Sequence, residues 1–213
     1  KNKTLYQLVF SKTPFYEESG GQVGDTDYIE SKSEKIKITN TIKENDLIVH
    51  IADKLPENVE ANFIAHVDVD RRKAITANHT ATHLLHQALK DVLGGHVNQA
   101  GSLVAPDHLR FDFTHLEQVS PEQLEEIEKI INEKISDAHP VETIVTSIDQ
   151  AREMGAMALF GEKYGDVVRV VSIDDYSIEL CGGTHVTNTS DIGLFKSTTE
   201  SGIGAGVRRI VAR

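Results

Sequence analysis

From Arg71 to about Leu93 the apolar residues Ala74, Ala77, Ala81, Leu84, Leu85, Ala88 and Val92 fall in one stripe at 100° per residue, and Gly94-Gly95 then ends the pattern. Such a run is a long amphipathic helix that must lay its stripe on something apolar. The flanking sequence supplies strands. Residues 1–70 carry short apolar runs broken by turn residues: Leu5, Val9 and Phe10; Ile36 and Ile38; Leu47, Val49 and Ile51; Phe63, Ile64, Val67 and Val69. A small barrel or a meander is the expected packing. Between the first two runs, Thr13 to Asp25 is rich in glycine and without periodicity, which marks a long loop, and long loops carry function more often than short ones.

Beyond the helix, residues 96–115 predict a hairpin with Ala105-Pro106-Asp107 at its turn. Ser120-Pro121-Glu122-Gln123 is a capping box with proline at the first helical position, opening a second helix that buries Leu124, Ile127, Ile131 and Ile135. A strand at Val141–Ile148, a short helix around Gln150–Met154, strands at 167–173 and 176–180, and a final hairpin over 191–213 follow. Strands mixed with helices but without βαβ alternation predict an α+β domain over 71–213, its helices on one face of a mainly antiparallel sheet.

Composition narrows the function classes. The net charge of −11, from 33 acidic and 22 basic residues, argues against generic polyanion binding, so a nucleic-acid substrate would have to be brought by something else. The local exceptions, Arg71-Arg72-Lys73 and Arg208-Arg209 with Arg213, read individually as solvated ends of elements. No apolar run is long enough to span a membrane and no secretory signal is present, so a soluble, cytoplasmic protein is expected. Lys1 in place of an initiator methionine suggests an excised fragment. The single cysteine, Cys181, has no partner within the chain for a disulfide, leaving metal binding or reactivity as its chemical uses.

That chemistry concentrates in two pairs spaced by four, His79-x-x-x-His83 and Cys181-x-x-x-His185. On the first helix the two histidines project together from the face opposite the apolar stripe, one turn apart, as a chelating pair does. Gly182-Gly183 lets the chain fold back so that the sulfur and a His185 nitrogen converge. Zinc accepts this mixture of nitrogen and sulfur. Each pair alone has an ordinary explanation: two solvated histidines on a polar face, or a cysteine buried as a small hydrophobe. His86, on the same face, is either a bystander or a substitute ligand. The first pair lacks the glutamate of a zincin motif. A Cys181 nucleophile activated by His185 is the competing reading, since a thiolate held by metal is not free to attack. Gly202–Gly206 is not a dinucleotide loop, because a β-like segment follows it where a helix is required.

These two pairs, the text Thr13-Pro-Phe-Tyr-Glu-Glu-Ser-Gly-Gly-Gln-Val-Gly-Asp25, the run Leu109-Arg-Phe-Asp-Phe-Thr-His115, the block Glu179-Leu-Cys-Gly-Gly-Thr-His-Val186 and the tail Gly206-Val-Arg-Arg-Ile210 together resemble the editing region of alanyl-tRNA synthetases, in order and over essentially the whole chain. Free-standing alanyl-tRNA editing proteins and the threonyl-tRNA synthetase editing domain share the zinc pairs. The tail looks more like the synthetase. The resemblance implies a small β-barrel followed by an α+β editing fold, and Zn2+ held by His79, His83, Cys181 and His185. It further implies Thr82 and Gln99 as catalytic-pocket residues, with Ser102 and Arg208 contacting substrate. The implied activity is hydrolysis of Ser-tRNA(Ala) and Gly-tRNA(Ala), with the 3′ end of tRNA(Ala) and the rest of a parent synthetase as partners and no membrane. A synthetic pocket for alanine rejects glycine or an added hydroxyl by only about 10²-fold, so a second hydrolytic site is needed. The alternatives are a free-standing deacylase and a non-catalytic zinc-stabilised tRNA-binding module.

Overall fold

The computed structural model describes residues 4–158 and 164–213, which leaves Lys1 outside the described residues. The chain divides into two compact units, Lys1–Arg72 and Lys73–Arg213.

The first unit is a single antiparallel sheet of β1 (Tyr6–Leu8), β2 (Asp27–Glu30), β3 (Lys35–Glu44), β4 (Leu47–Ala52) and β5 (Ile64–Val67), in the order β1-β4-β3-β2-β5. Alternation along β3 buries Ile36 and Ile38 with Phe15, Ile29 and Ala52 beneath the sheet. The β3–β4 turn places Asn45 and Asp46 at positive φ, a conformation in which their short polar side chains are tolerated. The expected barrel is not closed. β1 and β5 are edges with three and four residues, too short to bridge the gap and complete a ring. The first strand is also shorter than its apolar run, and Leu5 and Val9 beside it are exposed.

The 13–25 loop packs back on this sheet. Glu18 bridges Ile42, Phe15 and Gln22 are buried, and the buried Asp25 carboxylate accepts from the Tyr16 amide at 2.7 Å and pairs with Arg72. Gly24 approaches the Thr41 carbonyl so closely that a Cβ would collide with it.

The second unit contains two antiparallel sheets rather than one. A four-stranded sheet has the order β11 (Ser197–Gly204), β12 (Val207–Ala212), β7 (Leu109–Thr114), β6 (Gln99–Val104). A three-stranded sheet has the order β10 (Ser177–Leu180), β9 (Val167–Ile173), β8 (Val141–Ser147). With them pack α1 (Val69–Leu93), whose residues from Lys73 onward belong to this unit, α2 (Pro121–Ser136) and the short α3 (Ile148–Glu153). α2 starts as its sequence dictates: Ser120 accepts from the Gln123 amide at 3.2 Å and Gln123 Oε1 accepts from the Ser120 amide at 2.9 Å. The core joins Ala81, Leu84, Leu85, Ala88 and Leu89 of α1 to Ile127 and Ile131 of α2, Phe111 and Phe113 of β7, Ile210 of β12 and Val171 of β9.

One correction bears on function. From His79 to His86 every residue of α1 is buried, so the histidine face is not a solvated polar face. The apolar stripe shares its core with Phe111, Phe113 and Ile210, while the histidine side meets Glu179 of β10 and the segment Cys181–His185. Among the described residues no helix is long and apolar enough to cross a membrane.

Candidate metal centre

α1 delivers His79 and His83 one turn apart, and the chain leaving β10 delivers Cys181 and His185. Donor atoms of the four residues lie within 4.8 Å of one another. Cys181 Sγ is 3.4 Å from His79 Nε2 and 3.3 Å from His185 Nε2, and the His185 ring centroid is 4.5 Å from those of both His79 and His83. With Zn–S near 2.3 Å and Zn–N near 2.0–2.1 Å, a tetrahedral site separates sulfur from nitrogen by about 3.5 Å, so Cys181, His79 and His185 stand near the spacing such an ion requires, with the His83 donor within 4.8 Å of them. His83 Nδ1 is buried without a hydrogen-bond partner, a cost that a protein avoids unless the ring serves something else. The residues therefore fit a zinc ion. A cysteine nucleophile needs one base, and three imidazoles around one sulfur match a metal donor set better.

The Cys-Gly-Gly turn is held by side chains that the spacing of the two pairs does not mark. Arg169 of β9 donates through Nη1 to the carbonyls of Cys181 (2.9 Å) and Gly183 (2.5 Å), and its own carbonyl accepts from the Cys181 amide at 3.0 Å. Thr80, fully buried on α1, accepts from the Val186 amide at 3.1 Å and donates to the Thr76 carbonyl at 3.2 Å. Its hydroxyl oxygen is therefore an acceptor for His185 Nδ1 at 3.1 Å, which fixes the proton there and leaves His185 Nε2 as a ligand lone pair. Thr76 and Thr184 hydroxyls meet at 2.9 Å across the same junction. Arg169 and Thr80 carried no expectation from the sequence, and Glu179 entered it only as the first residue of the Glu179–Val186 block.

The protein groups at this junction shift one another's ionisation. Burial would raise the Cys181 thiol pKa, but His83 and His79 beside it hold it well below its ordinary value. Burial likewise opposes ionisation of His83, yet the Glu179 carboxylate and the Cys181 thiolate push its pKa up to about 9. His185 is pulled down to about 3 by burial and by the neighbouring His83. The shifts of His83 and Cys181 are mutual, each group favouring the charged form of the other.

The other expected site residues are placed as follows. Thr82 is buried on α1 and its hydroxyl donates to the Asn78 carbonyl at 2.8 Å. Gln99 and Arg208 both lie opposite Phe113, and Ser102 lies opposite Phe111, so all three are on the sheet face that carries these rings. Arg208 makes a bidentate pair with Glu200 at 2.6 and 2.7 Å through Nε and Nη2. Arg209, on the opposite face of β12, pairs in the same way with the buried Asp112 at 2.7 and 2.8 Å. Arg71 donates to the Gly24 carbonyl and Arg72 to the Pro14 carbonyl. Arg71, Arg72, Arg208 and Arg209 thus have internal partners, while Lys73 and Arg213 are exposed.

Two family models match this chain: the threonyl and alanyl tRNA synthetase second additional domain over residues 168–211, and the class II (A) tRNA synthetases over residues 1–73. Among curated relatives, an alanine-tRNA ligase of Enterococcus faecalis is 58% identical over 211 residues, covering 97% of this chain and 24% of the relative. One of Bacteroides fragilis is 55% identical over 213 residues, covering 100% and 24%, and one of Bacillus subtilis is 56% identical over 209 residues, covering 97% and 24%. The chain spans about a quarter of the length of these relatives.

Proposed function

Since this chain belongs to the alanine-tRNA ligase family, as a segment about a quarter of the length of its relatives, we propose that it is the proofreading domain: a zinc-dependent deacylase that hydrolyses Ser-tRNA(Ala) and Gly-tRNA(Ala). The observation that carries this reading is the convergence of His79, His83, Cys181 and His185 on one point in a segment of such a ligase. Residues 71–213 form the editing domain in this proposal, with the preceding β-strands as its companion.

The reaction is hydrolysis of an activated ester. Water adds to the ester carbonyl, the bond to the terminal ribose oxygen breaks, and that oxygen receives the proton. Positioning suffices for much of the rate, so no covalent intermediate is required. When bound, zinc supplies Lewis-acid charge and fixes the shape of the pocket. Thr82 provides selectivity. Its proton is committed to Asn78, so its oxygen is left as an acceptor: a serine hydroxyl donates to it, while the methyl of alanine has nothing to donate. Gln99 orients the scissile ester and Ser102 lines the pocket. Arg208 meets the tRNA terminus through Nη1, the part of its guanidinium that the Glu200 pair does not use. The rest of the parent synthetase holds the tRNA, which suits a chain whose arginines are largely committed to internal carboxylates and carbonyls.

Single-turnover deacylation of Ser-tRNA(Ala) and Ala-tRNA(Ala) by the purified chain tests the reading, with the serine ester expected to be consumed faster. Equal rates on both, or none on either by a zinc-loaded chain, would reject it. Metal analysis completes the test: His83→Ala should lose the ion and His86→Ala should keep one ion per chain at saturating zinc, the reverse result overturning the ligand assignment.

A further inference from the structure

Glu179 and His86 are buried beside the four ligands, and the reading above gives neither a task. Glu179, on β10 two residues before Cys181, has a side chain only 6% exposed. Its Oε1 accepts from His86 Nδ1 at 3.2 Å and from the Ser177 hydroxyl at 3.4 Å. Its Oε2 lies 3.9 Å from His83 Nε2. His86 is in turn fixed by packing, its ring centroid 5.2 Å from that of Phe111. The result is a chain of contacts from the core, through His86 and Glu179, to one metal-ligand residue.

Charge explains why a carboxylate stands there. A divalent ion bound by one thiolate and three neutral imidazoles keeps a net positive charge. Arg169, bonded to the carbonyls of Cys181 and Gly183, adds a second positive charge to the same turn. Buried charge is costly unless an opposite charge lies within a few ångströms. Glu179 is the carboxylate that contacts His83, and its other oxygen is immobilised by two donors, so it is held where the compensation is needed.

We propose that Glu179 is the charge-compensating and positioning residue of the metal centre, locked in place by His86. This rests on the metal-binding part of the proposed function but not on the deacylation. The carboxylate orients the His83 ring and lowers the free energy of the bound divalent ion. His86 acts through Glu179 and stays outside the coordination shell.

The test measures zinc affinity by competition with a chromophoric chelator, together with the absorption spectrum of the cobalt(II)-substituted chain. Glu179→Gln keeps the shape and removes the charge. It should weaken zinc by about 10–100-fold while one ion still binds at saturation. Glu179→Asp, which keeps the charge, should recover part of that loss. The thiolate-to-cobalt charge-transfer band should move to lower energy in Glu179→Gln, because an ion without the nearby anion is a better electron acceptor. Mere loosening of the fold would broaden the band without that shift. His86→Asn places an amide N–H where Nδ1 was and should hold zinc more tightly than His86→Ala. That pair decides the question if Glu179→Gln does not fold. Zinc affinity in Glu179→Gln within twofold of the parent, or equal affinities in His86→Asn and His86→Ala, overturns the proposal. A parent chain that binds neither zinc nor cobalt rejects the metal-centre reading itself, and a chain that behaves as expected here yet deacylates nothing rejects only the enzymatic one.

Discussion

Replacing Thr80 by valine isolates the support of the metal centre from its ligands. The side chain is fully buried and valine has nearly its shape, so packing is preserved and only the hydroxyl is lost. Three hydrogen bonds run through that oxygen. The Thr76 carbonyl loses least, since in a helix it still accepts from the amide of residue 80. The Val186 amide and His185 Nδ1 lose their acceptor outright. A buried donor left unpaired costs about 1–3 kcal/mol, so the two together destabilise the chain in chelator by roughly 2–6 kcal/mol. For a chain of this size each kcal/mol lowers the melting temperature by about 2–4 °C. A second effect acts on the ion. With no acceptor at Nδ1, His185 is free to move its proton to Nε2, the nitrogen facing Cys181, and zinc affinity should fall about 10–100-fold. Calorimetric titration with zinc and thermal unfolding in chelator measure the two effects separately. Thr80→Ser retains the oxygen and loses one methyl group, so it should stay within about 1 kcal/mol of the parent and keep its zinc affinity. If Thr80→Val bound zinc as tightly as Thr80→Ser, the hydroxyl would not be selecting the His185 tautomer.

Two further outcomes concern the first unit. His50 is fully buried, with its ring near Phe10 and Phe15, Nδ1 donating to the Leu8 carbonyl at 3.1 Å and Nε2 accepting from the Thr13 hydroxyl at 2.7 Å. Burial lowers its pKa despite the Leu8 bond, so the folded state prefers the neutral ring. The resulting stability is complete above the unfolded value of about 6.5 and is lost as pH falls through the lower folded value. Thermal unfolding across that window should show a flatter acid limb in His50→Gln than in the parent, and parallel limbs would count against the assignment. Gly24→Ala should destabilise the first unit by about 1–3 kcal/mol or more, because its Cβ is driven into the Thr41 backbone carbonyl rather than into a movable side chain. Unchanged denaturant midpoints would show that the loop separates from β3 without cost.

Local chemistry was legible in the residues themselves. The stripe Ala81, Leu84, Leu85 and Ala88 marked α1, Ser120-Pro121 and Gln123 marked the start of α2, and the two pairs spaced by four marked the residues that converge into a group able to hold a metal ion. These signals survive in one dimension because helix periodicity, capping and chelation act between residues a few positions apart. What lay beyond them was decided by residues far apart in the chain. Nothing near His79 and His83 says that their face will be buried, because the segment that covers it comes from Glu179 to His185. Arg169 and Glu179 acquire a role only once the turn carbonyls and His86 are placed against them. The strand runs of the first unit are real, but ring closure depends on how far the edges β1 and β5 extend, and no alternation pattern encodes that length. The sequence by itself determined which side chains were available to bind a metal. Tertiary structure decided which of them are buried, which tautomer each adopts and what charge surrounds them, since desolvation and pairing are properties of the assembled interior.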